Sequence, residues 1–212
     1  QSGSILILDF EHPDLDLEPA RLYDIIMAAK DESPGTMVGV YGYKLSRLDI
    51  NLDAWVALTP DTRARFAESI EERRCVIDAC DFINGDLYLL GSKFVTRDLD
   101  AFSNAMDEMR ALFPCKPLIP FVWGAYNTAW NPPGTLLNKT TLFRYVKMLR
   151  ESCDGVIVWG PAADNAGLIE LLTQPRCTLL PSDRRATWAS EFVGSGLKGV
   201  GGWETSTFTV RQ

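Results

Sequence analysis

The sequence predicts an α/β fold of the (β/α)8 TIM-barrel type. Three observations carry that expectation: short runs that are apolar on both faces, longer segments of helical periodicity between them, and polar or aromatic residues gathered at the ends of several different runs. The chain has 212 residues, 46% of them hydrophobic, enough for one sizeable core and so for a single domain spanning 1–212. Patterning is weakest in the tail from about residue 175 to 212.

The apolar runs are SILILDF (4–10), TMVGVYGY (36–43), DLYLLG (86–91), KPLIPFVWGAY (116–126), GVIVWG (155–160), CTLLPS (177–182) and LKGVGGW (197–203). Between them, Leu22, Ile25, Ile26 and Ala29 form one helical stripe, and Phe102, Met106, Met109 and Phe113 another. Thr140 or Thr141 is expected to cap a third helix that carries Leu142, Val146 and Leu149. A doubly wound open sheet is the competing architecture, but it usually announces its ligand site with a glycine-rich phosphate turn. Neither G-x-G-x-x-G nor G-x-x-x-x-G-K occurs here. Six or seven runs are fewer than the eight strands of a closed barrel. The expectation is therefore a barrel that is incomplete or lacks its first strands in this chain.

A net charge of −7 argues against nucleic acid or an anionic membrane surface as partner, since either needs clustered Lys and Arg. No run approaches the roughly 18–20 apolar residues of a membrane span. The five cysteines, Cys75, Cys80, Cys115, Cys153 and Cys177, lack C-x-x-C spacing, and His12 is the sole histidine, so neither a zinc site nor a cofactor is expected. One or two disulfides are compatible with the count, while the apolar neighbours of Cys75 and Cys153 equally suit buried thiols. Asn138-Lys139-Thr140 is a glycosylation sequon, and the compartment expected is extracellular or secreted.

The first run ends in Asp9 and Glu11. Residues i and i+2 of a strand share a face, about 6–7 Å apart, and two carboxylates that close do not both ionise freely. One of them then holds a proton near neutral pH, as the general acid of a glycosidase must. Where the substrate's own 2-acetamido group is the nucleophile, one carboxylic acid is catalytic and its neighbour orients the acetamide. The pair divides that work as Glu11 acid/base and Asp9 orienter. Tyr41, Tyr43, Tyr88, Trp123, Tyr126, Asn127 and Trp159, at the ends of other runs, are residues that stack on sugar faces or bond hydroxyls and acetamides. Each alone is more often a packing residue, and Asp9 and Glu11 alone would pass for an acidic loop. Their joint position on one rim favours function.

Taken in order, LILDFE, GVYGY, GDLYLLG, PFVWGAYN and GVIVWG resemble the hyaluronidase family of glycoside hydrolases, whose strands end in I-D-W-E, W-G-Y-Y, Y-P-S-I-Y, P-Y-x-x-x-x-Y and G-V-V-L-W-G. The likeness spans residues 5–160. It implies a polysaccharide or oligosaccharide substrate containing N-acetylhexosamine, with Glu11 as proton donor and Asp9 positioning the acetamide. It also implies that Tyr126 contacts the acetamide, that Trp159 floors the reacting sugar, and that Tyr88 is a further substrate tyrosine. The family's two strands before D-x-E have no counterpart here, which implies a missing N-terminal segment or a second chain. LDFEH followed by a helix and GVYGY is also similar to lysozyme-like muramidases, which carry D-x-E before a G-I-Y strand. Two alternatives stay open: a two-carboxylate glycosidase using Glu204, and a carbohydrate-binding or structural barrel without catalysis.

Overall fold

The structure, a computed structural model, describes residues 3–9, 18–41, 52–126, 135–160, 162–173 and 205–210. In chain order the elements are β1 (Gly3–Asp9), α1 (Pro19–Glu32), β2 (Thr36–Tyr41), α2 (Leu52–Ala57), α3 (Pro60–Glu71), α4 (Arg74–Ala79), α5 (Val95–Leu112), β3 (Phe121–Val122), α6 (Lys139–Ser152), β4 (Ile157–Val158), α7 (Ala162–Thr173) and β5 (Thr205–Val210). No described helix is long and apolar enough to cross a membrane.

β1 and β2 pair in parallel, Ile5 opposite Met37, Ile7 opposite Gly39 and Asp9 opposite Tyr41. From β2 the ladder passes to the segment 81–89, where Asp81 N donates to Val38 O and Val38 N donates to the Asp81 carboxylate, both at 2.8 Å. That segment meets the next through parallel bridges at Ile83–Leu118 and Asp86–Phe121, and β3 pairs in parallel with β4. The result is an arc of neighbouring parallel strands in chain order, with helices between them. On its other edge β1 pairs antiparallel with β5, and no closed barrel is formed among the described residues.

Alternation along each strand sends side chains to two different layers. Leu6, Leu8, Val38 and Val40 pack with Leu22 and Ile26 of α1 and with Val76 and Ala79 of α4. Ile83, Leu87, Leu89, Leu118 and Val122 pack with the apolar stripes of α5 and α6, where Phe102, Met106, Met109, Val146 and Leu149 are all buried. The opposite parity gives a third cluster: Ile5 and Ile7, Met37 and Tyr41, Phe82 and Tyr88, Ile119, Phe121 and Trp123, Ile157 and Trp159. Every member of that cluster lies on a strand or strand end. A doubly wound sheet would cover this face with helices, whereas a barrel fills its interior with the strands' own side chains.

Gly39 shows how tightly this face is filled. A Cβ there would stand 2.3 Å from Cζ of Phe82, so the glycine is the space into which the ring fits. The starts of the strands are held by ions. Lys30 pairs with Asp81 at 2.6 Å and donates to Ala79 O at 2.8 Å. Asp154 accepts from Leu118 N at 2.9 Å and from Arg110 at 3.1 Å.

Some expectations change. The cap of α6 is Asn138, whose Oδ1 accepts from Thr141 N at 3.0 Å, because the helix starts at Lys139, two residues earlier than a Thr140 cap requires. Cys75 is an exposed thiol, not a buried one, since it sits on the solvent side of α4, while Cys80 and Cys153 are buried and free and Cys115 is exposed and free. The run at 86–91 pairs earlier, at 83–87, because polar Asn84 and Asp86 interrupt its apolar pattern at interior positions. The runs at 177–182 and 197–203 lie outside the described residues.

Gly39→Ala is expected to lower stability by about 1–3 kcal/mol, the range for an overpacked core, in urea unfolding. Phe82→Leu in the same chain should recover part of that loss; strictly additive losses would show that ring and glycine do not share the space.

Candidate active site

At the C-terminal ends of the parallel strands the interior residues change from aliphatic to aromatic. Tyr41 ends β2, Trp123 follows β3, Trp159 follows β4 and Tyr88 lies near the end of the 81–89 segment. Tyr41 stacks on Trp159 with ring centroids 5.9 Å apart and planes 19° apart, and meets Phe121 edge-on at 4.6 Å. Tyr88 meets Trp123 edge-on at 6.4 Å. Four of the residues expected from the sequence thus form one aromatic wall, and Asp9 ends β1 directly opposite Tyr41 in the register. Tyr126 is buried three residues beyond Trp123. Glu11, Tyr43, Asn127 and Glu204 lie outside the described residues.

Buried polar atoms punctuate the wall. The indole N–H of Trp123 and the hydroxyl of Tyr126 have no hydrogen-bond partner among the described residues, an arrangement that costs about 1–3 kcal/mol for each donor left unpaired. The Tyr88 hydroxyl lies beside Tyr41 and Asp86. Burial first, and then these neighbours, raise its pKa far above the ordinary phenol value, so Tyr88 stays a neutral donor throughout the working pH range. Asp86 itself was not expected at the site. It stands two residues before Tyr88, at the same strand parity, and the only signal for it in the sequence is that spacing.

Asn165, on α7, is the second residue missed from sequence. It is 1% exposed and both ends of its amide are used: Oδ1 accepts from Gly124 N at 2.7 Å, and Nδ2 donates to Trp159 O at 2.8 Å. It thereby fixes the two strand ends that carry Trp123 and Trp159 against each other. Gly124 is required here because a Cβ would stand 2.3 Å from the Asp164 carbonyl oxygen. Gly160 is required beside it: its φ is +91°, and a Cβ would stand 2.6 Å from Nε1 of Trp123. The wall therefore offers flat apolar faces, buried neutral donors and, at the end of β1, a carboxylate residue.

Asn165→Leu, close in size, leaves Gly124 N–H and Trp159 C=O unpaired and is expected to cost about 2–4 kcal/mol. Red-shifted tryptophan fluorescence in the folded variant would report the released ends; an unmoved spectrum with wild-type stability would remove Asn165 from this role.

No family model matches the chain, and no curated protein matches it in sequence. Among solved structures, it is similar to bee venom hyaluronidase in a monoclinic crystal form, at 15% identity and a TM-score of 0.52, over 72% of this chain and 49% of that one. It is likewise similar to bee venom hyaluronidase in complex with a hyaluronic acid tetramer, at 16% identity and a TM-score of 0.51, over 72% of this chain and 48% of that one. The chain spans about half the length of these enzymes. At such identity the likeness is one of fold, and the arc of parallel strands with its strand-lined interior is a distant hyaluronidase-like fold.

Proposed function

We propose that the chain is a glycoside hydrolase acting on a polysaccharide that contains N-acetylhexosamine, with Glu11 as general acid/base and Asp9 positioning the acetamide. The observation that carries the reading is the place of Asp9: at the C-terminal end of β1, opposite Tyr41, where the aromatic wall begins. Strand ends at this side of a barrel are where catalytic groups of the fold class are donated. The hyaluronidase-like fold supports the same reaction class, and one of those similar structures holds a hyaluronic acid tetramer.

In the proposed reaction Glu11 gives its proton to the glycosidic oxygen as the bond from that oxygen to C1 breaks. The acetamide carbonyl oxygen attacks C1 and forms a cyclic intermediate, while Asp9 holds the acetamide N–H and offsets the charge that develops there. Glu11 then takes a proton from the water that opens the ring, which restores both groups. Trp159 and Trp123 supply faces for the sugar, and Tyr88 and Tyr126 supply hydroxyl hydrogen-bond donors. A polymer substrate goes with the extracellular location expected from the sequence.

A second reading, a carbohydrate-binding barrel without turnover, draws support from how far the rings bury one another: Tyr41 and Tyr88 are both under a tenth exposed. Reducing-end release from hyaluronan, unsulfated chondroitin, chitin oligomers and peptidoglycan separates the two. Cleavage by the wild type is expected to fall by more than about a hundredfold in Glu11→Gln. Asp9→Asn should lose turnover while keeping the wild-type unfolding midpoint. Full activity in either variant would remove that residue from its role. Sugar binding without cleavage, unchanged by Glu11→Gln, would favour the second reading.

A further inference from the structure

Asn138-Lys139-Thr140 is the only N-x-S/T sequon in the 212 residues, and neither the fold nor the proposed chemistry accounts for it. All three residues are exposed, and they border an open cleft of about 600 Å³ at the start of α6. The asparagine divides its amide between two tasks. Oδ1 accepts from Thr141 N at 3.0 Å and caps the helix, while Nδ2 makes no hydrogen bond among the described residues. Other asparagines spend that nitrogen internally: Asn104 Nδ2 donates to Trp55 O at 2.9 Å, and Asn165 Nδ2 to Trp159 O at 2.8 Å.

The backbone holds this amide at a fixed place. Residues 135–137 are tied back to the end of β3, Tyr126 N donating to Thr135 O at 2.9 Å and Leu137 N to Gly124 O at 3.0 Å. Asn138 follows that tie in an extended conformation, φ −70° and ψ 162°, and leads directly into α6. Two of the four exposed large hydrophobic side chains among the described residues flank it. Leu136, two residues before, is 54% exposed; Phe143, 43% exposed, lies three residues after Thr140 on the same helix face. Each leaves apolar surface in water that a covering group would bury. Sugar rings suit that place, because their C–H faces pack on apolar side chains while their hydroxyls stay solvated.

We infer that Asn138 is the acceptor of an N-linked glycan, added as the chain enters a secretory pathway; the inference stands apart from the hydrolase reading. The donor is an oligosaccharide carried on a lipid diphosphate, and the cell's oligosaccharide transferase joins the two. Nδ2 bonds to C1 of the first sugar and gives up one proton to the medium. The bond from C1 to the diphosphate oxygen breaks, and the lipid diphosphate leaves with its electron pair. The product is still an amide, so Oδ1 keeps its lone pairs for Thr141 N. Modification and capping thus use opposite ends of one side chain. The glycan is a bulky, solvated group set on the surface between Leu136 and Phe143, and α6 keeps its cap.

The test is the full chain expressed behind a cleavable secretion signal in insect cells, as wild type, Thr140→Ala and Asn138→Ala. Thr140→Ala removes the sequon and keeps the cap, whereas Asn138→Ala removes both. Wild type is expected to lose mass on digestion with peptide N-glycosidase, which leaves an aspartate that peptide mass spectrometry locates at position 138. Both variants should be secreted without a glycan. Between these two bare proteins, Asn138→Ala should melt about 2–4 °C lower, the shift for loss of one helix cap in a chain of this size. Wild type that is secreted and folded but bare at Asn138 overturns the inference, and so does a glycan that survives Thr140→Ala. Glycosylated wild type melting below Thr140→Ala would overturn the division of the amide, by showing that the sugar displaces the cap. Should Asn138→Ala fail to fold, Thr140→Ala still decides both occupancy and the cap, through its melting temperature against wild type.

Discussion

The register of β1 on β2 is the constraint on which the rest of the structure depends. Pairing Ile7 with Gly39 leaves the interior side of β2 open where the Phe82 ring enters, and pairing Asp9 with Tyr41 sets the carboxylate residue at the head of the aromatic wall. A slip of one residue would exchange every interior and helix-facing position, putting Leu6 and Leu8 inside and Ile5 and Ile7 under α1. Both faces of β1 are apolar, so hydrophobicity alone does not forbid that slip. The observed register is the one that sets Ile5 and Ile7 on the side of β2 where Gly39 admits the Phe82 ring.

The two ends of the arc are built from different chemistry. At the strand starts, Lys30–Asp81 and Arg110–Asp154 tie side-chain charge to backbone N–H groups, and Lys116 donates to the carbonyls of Asp78 and Cys80. These bonds satisfy the backbone where the sheet is cut off by loops. Burial raises the thiol pKa of Cys80, in the same region, to about 11, against the lowering pull of Lys116 and Lys30. At the strand ends the bonds are fewer and the rings larger, with Asn165 the principal polar tie among the described residues. Ionic ties are concentrated at one end of the arc and aromatic rings at the other.

The sequence was readable where one side chain's character decided its place. The stripes of α1, α5 and α6 appear at their expected periods because each faces a single apolar layer. The order of strands 4–10, 36–43, 116–126 and 155–160 was readable for the same reason. α3 carries its own signals, Thr59 capping Thr62 N and Pro60 in the first turn, but its buried stripe mixes Thr62 with Phe66 and Ile70 and is too polar to stand out. β5 has the alternation of a strand, TSTFTV, yet its pairing with β1 depends on a segment more than 190 residues away. Asn165 was not readable at all: an asparagine in a helix's first turn looks solvated until the two strand ends it joins are known. Tyr41 and Tyr88, expected from the sequence as substrate-binding residues at strand ends, are largely buried, because the rings that mark the strand ends also pack on one another.

Helix polarity sets the charge at the rim. α5, α6 and α7 each follow a strand segment and so begin at the end of the arc where the aromatic residues lie, which turns their positive termini towards the rim. Two of these termini already have an internal negative partner. Asp98 in the first turn of α5 is wholly buried, accepting from Leu90 N at 2.9 Å and pairing with Arg97 at 2.8 Å, and Asp164 occupies the first turn of α7. The first turn of α6 has no acid, and Lys139 stands at its first position. The field that α5 and α7 spend on their own carboxylates is therefore unopposed at α6, and it adds to the charge of Lys93, Lys139 and Arg144, which line an open cleft between the starts of α5 and α6. An acidic protein thus presents a local positive potential without changing its net charge. The same chain topology that lines up the aromatic residues determines where that potential lies.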